Sequence, residues 1–473
     1  MAHLILQIAR KSLKEGFRNK IFWTIAGILY VLLIFSSVVS LFHYQKKARE
    51  FDDAQRLART QWEQQTAKNP HSAAHYGTFA FKPISALSVV ENGLDKYLGV
   101  SIFLEAHKQN LSQYKQIAEQ NDMARFVELT PAFVLVYLMP LLLIIVGYQV
   151  YVGEKEQKTL SLVFSQGVSP WQLVAGKALY LWTVLLLLIL PAALLGLLFL
   201  LQMPFRADDF YRYAWFLIGL LLYLGSFIHL IVVVSRWSPS SNVALLSLLG
   251  FWMMATLFVP KLAVNFSKAI YPASSVLEYQ AKLKQDLEKG IDGHDPFSAK
   301  AKLFQDSVLK ANRVDSVHKL PFNYAGLVMQ AGEEHETVVY AKSLQNLHNT
   351  YLSQLKVHYY LAMLSPTILM KTTAMQLAHT DLQTHYDFAQ QAEKFRIALV
   401  RQLNYDIKDN ARYNDWEYKP QDKDFFKKTV AFEYHPRTLQ KTLPEMSATL
   451  TGLCGWCLAS LGLLWWAARR VSI

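Results

Sequence analysis

Six runs of about twenty residues contain no Asp, Glu, Lys or Arg: 21–42, 131–152, 178–201, 213–234, 243–260 and 447–468. A helix of that length crosses a hydrocarbon core of ~30 Å, and a helix satisfies its own backbone there. The pattern predicts an all-α polytopic membrane protein with six transmembrane helices. Polar segments separate the runs. Those at 1–20, 153–177, 202–212, 235–242 and 469–473 are short, and those at 43–130 and 261–446 are long. In the long segments, good helix formers with apolar residues three or four apart predict helices over 274–290, 336–364 and 375–404. Aromatic and branched residues over 75–83 and 84–90 predict minor β structure, and 292–296 is a turn by composition. Packed together, the two inserts predict one mainly α domain outside the membrane.

Two short segments have patterns of their own. In 1–20, Ile5, Ile8, Ala9, Leu13 and Phe17 line one helical face, and Arg10, Lys14 and Arg18 line another. That is an interfacial amphipathic helix with lipid as its partner, entering the bilayer at Phe22 and Trp23. The plainer alternative is a basic cap with no mechanical role. In 153–177, Ser169 suits an N-cap and Pro170 the first helical position. Trp171, Leu173 and Val174 supply an apolar side with an interfacial aromatic, predicting a small helix laid along the membrane surface. A short rigid helix there is a lever for a partner to push, which makes the loop a candidate coupling element.

Composition agrees with the pattern: 52% of residues are hydrophobic and the mean hydropathy is +0.14, too apolar for a soluble domain. The first run is too long for a cleaved leader, and no small-residue cleavage pattern follows it. The net charge is +12, unevenly placed. Residues 1–20 contribute +4, the 153–177 loop +1, Arg236 +1 and Arg469–Arg470 +2, all on one side if the chain crosses six times. The long segments are nearly balanced, with 11 basic and 10 acidic residues in 44–130 and 23 against 20 in 263–444. The positive-inside rule then puts both termini in the cytoplasm and both inserts in the periplasm of a bacterial inner membrane. The basic excess is a topology signal, and no nucleic-acid partner is expected.

The candidate chemistry is sparse. Gly176-Lys177 is followed by Ala178 and preceded by no glycine at the P-loop spacing, so no phosphate cradle exists and no cofactor is expected in this chain. ATP and Mg²⁺, if used, bind a partner. His229 is the clearest ionisable group in a span, either a relay or a satisfied histidine facing the bundle interior. Cys454 and Cys457 have dithiol spacing, but an apolar span disfavours the thiolate, and small residues three apart serve helix packing. These are the only cysteines, so the exported domain has no disulfides. Met363, Met370, Met375 and His379, with His71 and His75 at i,i+4, offer soft donors for copper or simply fill a core; no metal is assigned. Glu154 and Glu156 flank the loop at the bilayer exit, either solvated or paired with basic residues of a cytosolic partner.

Tyr151-Val-Gly-Glu-Lys-Glu-Gln-Lys-Thr-Leu160, Ser165-Gln-Gly-Val-Ser-Pro-Trp171 and Gly176-Lys177 resemble the signature loop of permeases in the type-2 ABC exporter superfamily. The segments 74–83, 104–107, 292–296 and 378–381 are similar to a bacterial subgroup with large periplasmic inserts. That subgroup is related to permeases of gliding motility and nitrous-oxide-reductase maturation. The resemblance implies six spans, an N-terminal interfacial helix and a coupling helix after the second span. It also implies pairing with a second permease copy or paralogue, and a separate cytosolic ABC ATPase that holds the ATP and Mg²⁺. The chain is then not itself an enzyme, and Glu154, Glu156, Ser169, Pro170 and Trp171 are the expected ATPase contacts. Two rivals stand beside the exporter: a mechanotransmitter acting on a periplasmic partner without moving cargo, and a membrane-anchored enzyme using His71, His107 or His294.

Overall fold

The computed structural model describes residues 2–65, 68–110, 112, 129–204, 206–291, 295, 297–415, 417–422 and 424–469. Among them are six helices long and apolar enough to cross a membrane: Lys20–Glu63, Pro131–Glu156, Pro170–Leu200, Ala207–Trp237, Ser241–Ile270 and Leu439–Arg469. These are the first to sixth spans below. Helix α1 (Ala2–Arg18) precedes them. Its expected apolar face turns inward and Arg10, Lys14 and Arg18 turn outward. The joint to the first span is pinned by Asn19, whose side chain accepts from Ile21 N–H, and by Trp23 Nε1, which donates to the Phe17 carbonyl at 2.9 Å. Gly176 lets α1 lie close on the third span, since a Cβ there would come within 2.6 Å of the Ile8 side chain.

The first span does not stop at the membrane edge. Its helix runs on to Glu63 and becomes a strut for the domain outside. Both inserts share that domain's core. Trp62, Ala73, Ala74 and Ala106 of the first pack with Leu399, Val400, Leu403 and Phe426 of the second. Ala80, Ile102 and Leu104 pack with Phe388, Ala392 and Tyr434. The first insert supplies α2 (Pro70–Tyr76) and an antiparallel sheet of β1 (Thr78–Phe81), β2 (Ser101–Glu105) and β3 (Lys108–Gln109), in the order β1-β2-β3. The expected strand in 75–83 is β1, but 84–90 forms a 3-10 turn at Ala86–Val89 instead. Gly77, at φ +70°, ends α2, and a Cβ there would strike the Leu104 carbonyl at 2.5 Å. A cavity of about 470 Å³ lies between the strut and the sheet, lined partly by Phe51, Leu57, Phe79, Phe81 and Ile84.

Helix α3 (Leu160–Ser165) lies between the second and third spans. The second insert contains α4 (Tyr324–Ala362), α5 (Pro366–Leu377) and α6 (Leu382–Asn410). The helix expected over 375–404 is thus two helices. The break falls at His379, in left-handed backbone at φ +57°, and Asp381 then caps α6 by accepting from Gln383 N–H. Helix α5 was expected with the domain, yet Ile368, Leu369, Met370 and Ala374 are buried in the same core as the spans. It meets the second and fifth spans where each is π-helical, at Val134–Leu138 and Met254–Phe258. Pro140 and Pro260 follow these turns and lack an N–H, which leaves carbonyls without a backbone donor. Side chains supply one: Tyr223 donates to the Val136 carbonyl at 2.7 Å and contacts Thr367 Oγ1 at 3.1 Å, and Ser365 donates to the Ala255 carbonyl.

Candidate functional site

The end of the bundle away from the domain is built around the turn that closes the second span. Tyr151 and Val152 donate their backbone N–H groups to Ser235 Oγ at 3.0 and 3.1 Å. The Arg236 guanidinium lies 5.0 Å from the Tyr151 ring and donates to its hydroxyl. Lys155 Nζ donates to the carbonyls of Arg236 and Ser238. Tyr151, Val152 and Lys155 thereby fix the turn to Ser235, Arg236 and Ser238 at the end of the fourth span.

The two glutamates reach the remaining elements. Glu154 Oε1 accepts from Lys177 Nζ at 3.0 Å, Oε2 accepts from Thr159 Oγ1 at 2.5 Å, and Lys11 Nζ of α1 stands 3.7 Å away. Glu156 accepts the backbone N–H of Ser241 at 2.7 Å and its hydroxyl as well. A carboxylate on the first amides of a helix satisfies an orphan donor and complements the helix dipole. Glu154 ties the turn to α1 and the third span, and Glu156 ties it to the fifth. Both acids were expected to face a partner. Their carboxylates are instead engaged inside the chain, where they meet the Lys177 ammonium and the first amide of the fifth span at Ser241.

Ser169 and Pro170 take their expected backbone positions. Ser169 Oγ accepts from Gln172 N–H at 3.3 Å, Gln172 Oε1 accepts from Ser169 N–H at 2.8 Å, and Pro170 follows. This is a capping box. The helix it starts does not lie along the surface, however. It continues unbroken to Leu200, because Gln172, Leu173 and Val174 are buried and nothing after Pro170 stops the helix. Trp171 remains at the rim, 36% exposed.

The separate short helix of the loop is α3, which the residue pattern had left unread. Leu160, Val163 and Phe164 pack toward the bundle core at the i, i+3, i+4 spacing that could have revealed it. The opposite side leaves Leu162 60% exposed. Gly167, at φ +82°, makes the turn back to Ser169. The resulting outer rim presents Leu162 and Trp171 above a base clamped to four elements. Such an arrangement is rigid enough for a displacement of the rim to reach the third, fourth and fifth spans.

The other candidates fall elsewhere. His229 is bonded on both ring nitrogens, to Ser460 Oγ at 3.0 Å and Trp182 Nε1 at 3.3 Å, and so reads as a bridge between the third, fourth and sixth spans. Cys454 and Cys457 are free thiols on the sixth span. Met370 is buried in the bundle core whereas Met363 is exposed, and His379 is buried beside Lys82, which donates to its carbonyl at 2.9 Å. His294 lies outside the described residues. His71, His75 and His107 come together in the domain.

Residues 64–276 match the family model described as "ABC-2 family transporter protein". Residues 276–435, most of the second insert, match one described as "Domain of unknown function (DUF3526)". No curated protein matches the chain.

Proposed function

From the premise that this chain is a type-2 ABC permease, with the ABC-2 transporter match over residues 64–276, we propose that it is the membrane subunit of an ATP-driven bacterial exporter worked by a separate cytosolic ATPase. ATP and Mg²⁺ sit on that ATPase. Two ATPases closing on nucleotide press the loops of two permeases, this chain and a second copy or paralogue. The observation that carries the reading is the clamp at Tyr151–Glu156. The ATPase bears on Leu162 and Trp171, Ser169 and Pro170 keep the rim stiff, and Glu154 and Glu156 pass the displacement to the third and fifth spans. The basic excess on the loop side supports a cytoplasmic position for this end and a periplasmic one for the domain.

The test uses the permease and its cognate ATPase reconstituted together in lipid. Leu162→Asp with Trp171→Ala should cut permease-stimulated ATP turnover at least tenfold and leave the melting temperature of the permease unchanged. Wild-type turnover in that variant would refute the rim as the coupling surface.

A mechanical relay without cargo is favoured by one observation, the seating of α5 among the spans. Because Thr367 contacts the fourth span and Ser365 the fifth, tilting of those spans moves the domain directly. ATP-dependent movement of the domain in sealed vesicles, with no accompanying flux of solute or lipid, would select this reading over export.

A further inference from the structure

Three histidines from two parts of the first insert converge in the domain. His71 and His75 are one turn apart on α2, and His107 sits in the two-residue turn that joins β2 to β3. The Ala106 N–H donates to the Ala74 carbonyl at 3.0 Å and holds that turn against the helix. Nε2 of His71 lies 3.1 Å from Nε2 of His75 and 3.5 Å from Nε2 of His107. One ring nitrogen from each histidine falls within 4.8 Å of the others. Two imidazole nitrogens bound tetrahedrally to zinc stand about 3.3 Å apart, close to the separation of His71 from each of the other two.

The surrounding polar groups fix which nitrogens face inward. His71 Nδ1 lies 2.9 Å from Asn404 Oδ1. Asn404 Nδ2 donates to Gln330 Oε1 at 3.3 Å, and Gln330 Nε2 donates to Glu334 Oε1 at 3.1 Å. A carboxylate can only accept, so the amide chain runs one way and His71 donates from Nδ1. His107 Nδ1 faces Glu336 Oε2 at 2.9 Å and Glu333 Oε1 at 3.3 Å, so it too donates outward. Nε2 of His71 and of His107 therefore carries the lone pair, and both point into the cluster beside His75 Nε2. Outward donation from Nδ1 to carboxylate or amide, with Nε2 turned inward, is how metal-bound histidines are oriented.

The backbone at His107 is a second, independent sign. It is held at φ +63°, in the left-handed region that favours glycine. Its N–H donates to Glu333 Oε1 at 2.6 Å, and Glu333 is in turn held by Arg396 at 3.1 Å. Strained backbone of this kind gathers at ligand sites, where surrounding structure imposes it.

We propose that His71, His75 and His107 bind one borderline divalent cation, zinc or copper(II), with Asn404, Glu333 and Glu336 as its outer sphere. Imidazole suits both ions. The ion reaches the site from the side of His75, the exposed member. Its ligands come from the first insert and its outer sphere from the second, so it clips the two inserts together.

The test takes full-length protein in detergent, stripped with a chelator, and titrates it separately with Zn²⁺ and Cu²⁺. Bound metal is measured by elemental analysis and affinity by competition with a chromophoric chelator. The expected result is one equivalent of at least one ion per chain and a metal-dependent rise in melting temperature. His75→Ala, at an exposed position, and His107→Asn, which tolerates the backbone, should each weaken binding at least tenfold and melt like the wild type without metal. Glu336→Gln should weaken it by about 10- to 100-fold. If stripped wild-type protein takes up no more of either ion than the His75→Ala/His107→Asn double variant, the site does not exist. Wild-type affinity in both single variants would likewise overturn it.

Discussion

Lys177 Nζ and Glu154 Oε1 stand 3.0 Å apart, joining the start of the third span to the turn that closes the second. Their side chains are only 6% and 12% exposed. Removing one partner of a buried pair leaves the other charge uncompensated. Glu154→Gln should therefore lower stability by about 3 kcal/mol, read as a fall in melting temperature in detergent. Glu154→Gln with Lys177→Met removes both charges and should recover most of that loss. Additive losses in the double variant would mean the two residues act independently.

Glu156 makes a different kind of link, because it caps a helix. It accepts the Ser241 N–H at 2.7 Å, at the first turn of the fifth span. Glu156→Ala should lower the melting temperature of the permease slightly, as the loss of a helix cap does. It should also speed hydrogen exchange at the amides of 241–244 and leave the third span untouched. Exchange there at the wild-type rate would show that Ser240, whose side chain accepts from Val243 N–H, caps the span unaided.

At Trp171 the proposed docking can be tested apart from folding. Its ring is at the rim while Leu173 and Val174, two and three residues on, are buried. Trp171→Ala alone should weaken capture of the ATPase about tenfold in a pull-down of the reconstituted complex, with melting unchanged. Val174→Asp should do the reverse: it places a charge in the core, where burial without a partner is costly, and unfolds the permease before docking can be measured.

Much of this architecture can be read from the chain, and its gaps have physical causes. The charge-free runs locate the six spans because lipid tolerates little else, and the stripe on α1 matches its inward face residue by residue. Charge marks where lipid ends, though not where a helix ends. Lys46, Lys47, Arg49 and Glu50 are good helix formers in water, so the first span continues to Glu63 as a strut. Helix α5 was hidden for the opposite reason. Its threonines and Lys371 look solvated, but Tyr223 meets Thr367 and Glu91 holds Lys371 at 2.6 Å from far along the chain. At the loop, the cap at Ser169 was legible, whereas the inward pull on Glu154 depends on Lys177 and Lys11 arriving from two other helices. The pair His71 and His75 shows itself by helical spacing. His107 joins them only through the register of β2 and β3.

The pH dependence of the outer domain should be set by histidines that folding keeps neutral. Burial holds the His379 imidazole well below its ordinary value, and the cations of Arg212, Lys82, Arg437 and Arg206 add to the effect. Burial shifts His348 and His358 the same way. In the unfolded chain these groups take up protons below about pH 6.5, and in the fold they do so only at lower pH. The unfolded state therefore binds more protons as the pH falls. This stability is complete above about pH 6.5 and is progressively lost as the pH falls below it. Asp381, its carboxyl pushed up by burial, works in the opposite sense from its ordinary value near 4 upward. The full-length protein should accordingly melt at a lower temperature at pH 5.5 than at pH 7.5. His379→Asn keeps a side chain suited to the left-handed backbone and removes one titrating group, so it should narrow that gap. A gap of wild-type size in this variant would mean that His379 already takes up its proton in the folded domain.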